Sequence, residues 1–200
     1  MLLELTSYLL SNYSSKIVDI TPLKLQKLLF YIKAWGMVGE DFIIPDSFEK
    51  WGYGPVAPEV YHHFKNLNKT PLNHENTKGL PDPIALNESQ KQFIDMIMSV
   101  YGDYTAFQLS ELTHSELPWK KTKTNEVISD ALIKEFYSTL SFAKNFPVKS
   151  NSSFYPLKDF AYHSFVFDMK GEYPETIFSS FQEYKLLKEQ AELSFNKHFN

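Results

Sequence analysis

Apolar positions recur at three- and four-residue spacing along most of the chain, and polar, Pro- or Gly-containing breaks separate the runs. Leu2, Leu3, Leu5, Leu9 and Leu10 fit one helix ending near Tyr13. A polar break follows at Ser11 to Ser15. Thr21-Pro22 predicts a helix start, with Thr as N-cap and Pro in the first turn. The helix it opens carries two apolar faces, Leu25, Leu28, Leu29, Ile32 and Trp35 on one and Leu23, Phe30 and Ala34 on another, and Gly36 or Gly39 ends it. A helix apolar on two sides packs centrally, with neighbours on both.

Beyond it, Phe42-Ile43-Ile44-Pro45 and Ser47 to Tyr53 read as extended, which predicts a short hairpin between Phe42 and Tyr53. Gly54-Pro55-Val56-Ala57-Pro58 reads as a turn opening a helix at Pro58 that carries Val60, Tyr61, Phe64 and Leu67. Residues 68 to 86 hold Pro71, Gly79, Pro81 and Pro83 and read as a long loop. Asn87 with Gln90, and Thr105 with Gln108, have capping-box spacing. They open two helices, one through Phe93, Ile94, Ile97, Met98, Val100 and Tyr101 to Gly102, the other ending near His114. Pro118-Trp119 predicts a short turn, and Thr124 a cap for a helix with Ile128, Leu132, Phe136 and Leu140.

The remainder divides from this. Asn145 to Pro156 is polar and Ser-rich, a linker in pattern, and Phe160 to Phe167 fits a strand. Pro174 opens a last helix whose Ile177, Phe181, Tyr184, Leu187, Ala191, Phe195 and Phe199 form a long apolar stripe. A stripe of that length needs a partner: its own domain, a second copy, or another protein. The expected organisation is one domain over residues 1–144 and an extension over 145–200. The expected fold is α+β and mainly α-helical, built around the central helix with a small hairpin.

Composition narrows the chemistry. The chain of 200 residues lacks cysteine, which excludes disulfides, thiolate metal sites and cysteine nucleophiles. Its net charge of −4 argues against a grip on a nucleic-acid backbone. Seven glycines, about half the usual share, disfavour a phosphate-cradling nucleotide fold. No run is long and apolar enough for a membrane span, and the first residues lack the basic start of a secretory signal, so the expected address is the cytoplasm. Aromatic residues make up 16%, a supply that serves cores and interfaces alike.

Candidate chemistry is sparse. Among the six histidines only His62 and His63 are close, and neighbouring helical residues point in different directions, so no metal site is expected. Walker A, GxGxxG, HExxH and the nucleophile elbow are all missing, and no cofactor is expected. Thr113-His114-Ser115-Glu116 could support acid–base chemistry in a small hydrolase; equally, its hydroxyls could satisfy backbone groups at a helix end. In Trp51-Gly52-Tyr53-Gly54-Pro55 the glycines serve a positive φ or close packing rather than phosphate. Lys120-Lys121-Thr122-Lys123 is a solvated basic cluster.

Three segments in this order resemble the Panacea antitoxin-domain family, also called SocA-like. They are Lys24 to Tyr31 with Trp35, Trp51 to Val56 running into Pro58 to Tyr61, and Leu109-Ser110 through Thr113-His114 to Pro118-Trp119. The resemblance covers about residues 2 to 142, with Lys50 standing where a small residue is expected. It implies a mainly helical domain with a small β element. It also implies the antitoxin half of a bacterial or phage toxin–antitoxin pair, acting by protein–protein contact on a toxin encoded beside it. It brings no catalytic residues. A negative chain also suits a basic toxin. The partner-binding candidates are Trp51, Tyr53, Pro55, His114, Trp119, Phe181, Tyr184 and Phe195. For Trp51, Tyr53 and Trp119, bracing of the turn is the competing role. An adaptor that delivers the toxin to a protease, and a homo-oligomer, stay open as alternatives.

Overall fold

The computed structural model describes residues 1–17, 19–39, 42–73 and 75–140. The expectations for Asn145 to Asn200, including Phe181, Tyr184 and Phe195, lie outside the described residues. Met1–Tyr137 form a compact unit of their own.

The elements run α1 (Leu2–Tyr13), α2 (Pro22–Gly39), β1 (Glu49–Trp51), β2 (Gly54–Val56) and α3 (Pro58–Phe64), which a single 3-10 turn, Lys65–Leu67, extends. After the loop come α4 (Glu88–Tyr101), α5 (Ala106–Ser115), α6 (Leu117–Lys121) and α7 (Asp130–Thr139). Among the described residues the fold is therefore mainly helical with an antiparallel two-stranded hairpin.

Helix α2 is the hub, as its two apolar faces predict. Leu25, Leu28, Leu29, Phe30, Ile32, Ala34 and Trp35 are all buried, and the helix packs on α1, α3, α4, α5 and β2. The Tyr31 ring stacks on Tyr101 of α4, and Trp35 donates its Nε1–H to the Tyr101 hydroxyl at 2.8 Å. Tyr137 of α7 closes the other side, edge-on to Phe30, Tyr31 and Trp35. Both capping boxes form, at Asn87/Gln90 and Thr105/Gln108.

Burial of α2 on every side also draws in its polar residues, which periodicity does not reveal. Lys27 and Lys33 are fully buried. Lys33 Nζ donates to the Ile44 carbonyl at 2.8 Å and lies 3.0 Å from the Asp130 carboxylate, which ties the 42–48 segment and the start of α7 to the hub. Gln26 makes a two-way amide pair with the Ala57 backbone.

Several local expectations change. The hairpin lies later than Phe42 to Tyr53: Glu49, Lys50 and Trp51 pair with Val56, Pro55 and Gly54. Phe42, Ile44 and Phe48 are buried instead as an extended lead-in. Gly54-Pro55-Val56 is thus the second strand, not a turn. Gly54 has φ +101, the left-handed closure a glycine supplies after the two-residue loop Gly52-Tyr53.

Pro118-Trp119 lies in the short helix α6 rather than a turn. Thr124 does not cap a helix. Asn125 takes φ +64, and the following residues run antiparallel to the free edge of β1. Lys50 N–H bonds the Glu126 carbonyl, Asn125 N–H the Lys50 carbonyl, and Ile128 N–H the Phe48 carbonyl. Ile128 is consumed by that pairing, so α7 starts only at Asp130 and buries Ile133 and Tyr137, not Leu132 and Phe136.

Candidate interaction site

The hairpin packs its second strand on α2 and α5, and its backbone is read almost residue by residue by helix side chains. On the α2 side, Lys27 Nζ donates to the Pro55 carbonyl at 2.7 Å, and Gln26 holds Ala57. From α5, Ser110 Oγ donates to the Tyr53 carbonyl at 2.8 Å, and the His114 ring lies beside the Gly52 backbone. Trp119 of α6 donates its Nε1–H to the Trp51 carbonyl at 3.2 Å. Gly54 rests on α2 and α5 so closely that a β-carbon there would lie 2.6 Å from Thr113 Oγ1 and 2.7 Å from Lys27 Cε. A short hairpin is marginal by itself; these bonds hold its tip in one conformation.

The side chains of β1 alternate between two faces, as strand geometry requires. On one face Lys50 donates from Nζ to the Thr122 carbonyl at 2.8 Å and sits 4.1 Å above the Trp119 ring. The His114 ring also stacks on Trp119, 4.1 Å between centroids at 28°. His114 Nε2 is buried without a partner among the described residues, and burial, then the Lys27 charge, lower its pKa. Lys50, His114 and Trp119 therefore form a brace.

On the other face Trp51 donates Nε1–H to the Glu49 carboxylate at 2.9 Å and meets the Tyr61 ring edge-on at 4.7 Å. Tyr53 stands at the tip, 69% exposed.

The structure thus gathers five of the sequence-derived candidates and assigns them different positions. Tyr53 is open, Trp51 and Trp119 are half-buried, His114 supports the turn, and Pro55 is buried, so its ring is not available to a partner. Three residues were missed. Tyr61 is 40% exposed beside Trp51. Phe107, 65% exposed, lies one helical turn before Ser110 on the α5 face that holds the hairpin. Lys50 completes the Trp119 brace. Periodicity flags Tyr61 only as a helix-stripe member and Phe107 only as part of a capping segment.

The Thr113–Glu116 stretch disperses in space. Thr113 Oγ1 donates to the Ser110 carbonyl at 2.8 Å and Ser115 Oγ to the Leu112 carbonyl at 2.7 Å, so both hydroxyls serve the helix end. Glu116 turns into the core, where its carboxylate accepts from the Tyr31 hydroxyl at 3.0 Å and the Tyr137 hydroxyl at 2.6 Å. Burial raises its pKa to about 7, against those two hydrogen bonds, which lower it. No hydrogen bond joins Glu116 to His114 among the described residues. The described residues contain no cluster of His, Asp and Glu able to hold a metal ion, and no helix long and apolar enough to cross a membrane.

A family model described as "Antitoxin SocA-like, Panacea domain" matches residues 25–120. This segment holds most of α2, the hairpin, α3, α4, α5 and nearly all of α6, the elements that build and clamp the site. It is narrower than the 2 to 142 expected from the motifs, since α1 and α7 lie outside it. No curated protein and no solved structure matches the chain.

Proposed function

We propose, from the SocA-like Panacea domain at residues 25–120, that this protein is the antitoxin of a toxin–antitoxin pair and neutralises a cognate protein toxin by direct contact through the hairpin face. The family match carries the reading, because its description names an antitoxin-like domain and no enzymatic activity. The site agrees with it. An exposed tyrosine on a turn fixed from three helices is pre-organised, so little entropy is lost when a partner closes over it. The chain also contains no arginine, so of the three residue types that dominate interface hot spots only Trp and Tyr are available. The hydrolase alternative has lost its assembled acid–base group, and the protease-adaptor alternative uses the same contact with an added step.

The test begins with the adjacent gene, expressed alone and then with this one. The neighbour arrests growth alone and is rescued by co-expression. Tyr53→Ala weakens the purified complex by about thirtyfold, or roughly 2 kcal/mol, while leaving the melting temperature unchanged. His114→Ala still rescues growth, because Lys50 keeps its place on Trp119; loss of rescue in a folded His114→Ala protein that still binds the toxin would favour the enzyme. Rescue that vanishes when the host's protease is deleted would favour the adaptor.

The extension at 145–200 has a separate place in this proposal, as the element that sets which toxin is bound. Met1–Tyr137 form a compact unit whose buried apolar residues run from Leu2 to Tyr137. A 1–144 fragment is therefore expected to fold, to retain the buried Tyr137, and to lose toxin binding. Precipitation of the fragment would show structural docking of the extension instead, and full neutralisation would remove the specificity role.

A further inference from the structure

The open face of β1 holds a carboxylate beside two aromatic rings, with no cation paired to it among the described residues. Glu49 and Trp51 project to the same face, and the Trp51 Nε1–H donates to Glu49 Oε2 at 2.9 Å. Tyr61, from the first turn and a half of α3, stands edge-on to Trp51 with ring centroids 4.7 Å apart and 66° between planes. Both rings reach solvent, Trp51 half-buried and Tyr61 at 40% exposure. The nearest lysine in sequence, Lys50, projects to the opposite face, where the Thr122 carbonyl and the Trp119 ring occupy its ammonium. None of the ion pairs among the described residues involves Glu49.

The geometry points to a recognition site for one arginine side chain of a partner protein. A guanidinium lies flat on an indole or phenol face and presents a fork of N–H donors at its edge. Here the ring faces and an acceptor with free lone pairs are adjacent: the Trp51 N–H uses one carboxylate oxygen, and the second, Oε1, has no hydrogen-bond donor among the described residues. An ammonium is a point charge that satisfies the carboxylate but gains less from the rings. The chain has no arginine of its own, so the occupant comes from a different protein, and a second copy could offer lysine or histidine but no guanidinium. The inference rests on the antitoxin reading for the identity of that partner, the toxin, whereas the chemistry of the site can be tested without it.

The experiment is a titration of the full-length, ¹⁵N-labelled protein with tetra-arginine amide, following the three indole N–H signals, with tetra-lysine amide and tetra-glutamate amide in parallel. Tetra-arginine is expected to shift the Trp51 indole signal saturably and to leave that of buried Trp35 in place. Tetra-lysine binds roughly fivefold more weakly and tetra-glutamate does not bind. Glu49→Gln and the surface change Tyr61→Leu each weaken tetra-arginine binding by about tenfold; Tyr61→Leu keeps the test decisive if the strand variant unfolds. An unmoved Trp51 signal, equal binding of lysine and arginine peptides, or undiminished binding by folded Tyr61→Leu would each overturn the site. Because no toxin is present, a failed titration leaves the growth-rescue result standing, and a failed rescue leaves the titration standing.

Discussion

Gly54→Val should abolish neutralisation by releasing the hairpin, although the residue is buried and touches no partner. Gly54 sits at φ +101, where a β-branched residue is strained, and the new side chain would meet Thr113 Oγ1 at 2.6 Å and Lys27 Nζ at 2.9 Å. Backbone strain and overpacking together should cost about 3 kcal/mol. The larger consequence is positional. Lys27 holds the Pro55 carbonyl and Thr113 lies on the helix that holds Tyr53, so relieving the clash pushes β2 off both supports. Gly52→Ala is the control: nothing lies within 4 Å of a β-carbon there, and the change should alter stability by less than about 0.5 kcal/mol. Urea unfolding of the two variants checks this, and equal tolerance of both would contradict the clamp.

Stability should pass through a dip near neutral pH set by two buried charges, and each slope should vanish in one variant. Burial raises Glu116 from 4.5 to about 7, so between those values the folded chain holds more protons than the unfolded one. Its stabilising contribution is complete below pH 4.5 and is lost as pH rises to 7. Burial lowers Lys27 from 10.5 to about 7, so the folded chain holds fewer protons across that window. Its penalty is complete below pH 7 and is relieved as pH rises to 10.5. Each slope approaches about 1.4 kcal/mol per pH unit inside its window. Glu116→Gln should flatten the fall between pH 4.5 and 7, and Lys27→Met the rise above 7, as read from urea unfolding at pH 5, 7 and 9. Absolute stabilities are less diagnostic, because Lys27→Met strands the Pro55 carbonyl and Glu116→Gln reorganises two tyrosine hydroxyls. Superimposable pH profiles for the wild type and both variants would refute the assignment.

Local signals were legible in the chain. The capping boxes at Asn87 and Thr105, the Thr21-Pro22 start and the two apolar faces of α2 act within a turn or two, so sequence alone determines those helices and makes α2 the hub. Lys24 to Trp35, Trp51 to Tyr61 and Leu109 to Trp119 carry the Panacea resemblance, and with it the antitoxin reading. Tertiary structure decided what depends on distant partners. Ile128 looks helical by spacing, but pairing with Phe48 makes it extended. Lys27, Lys33 and Glu116 are typical surface residues by type, and only the crowding around α2 makes them internal struts. Trp51 and Trp119 look alike as aromatics near a turn. Strand alternation and the position of α6 leave one beside Tyr61 on an open face and press the other against Lys50 and His114. Periodicity reports how a residue sits on its own element; which face another element covers is set by contacts far along the chain, and those alone separate brace from interface.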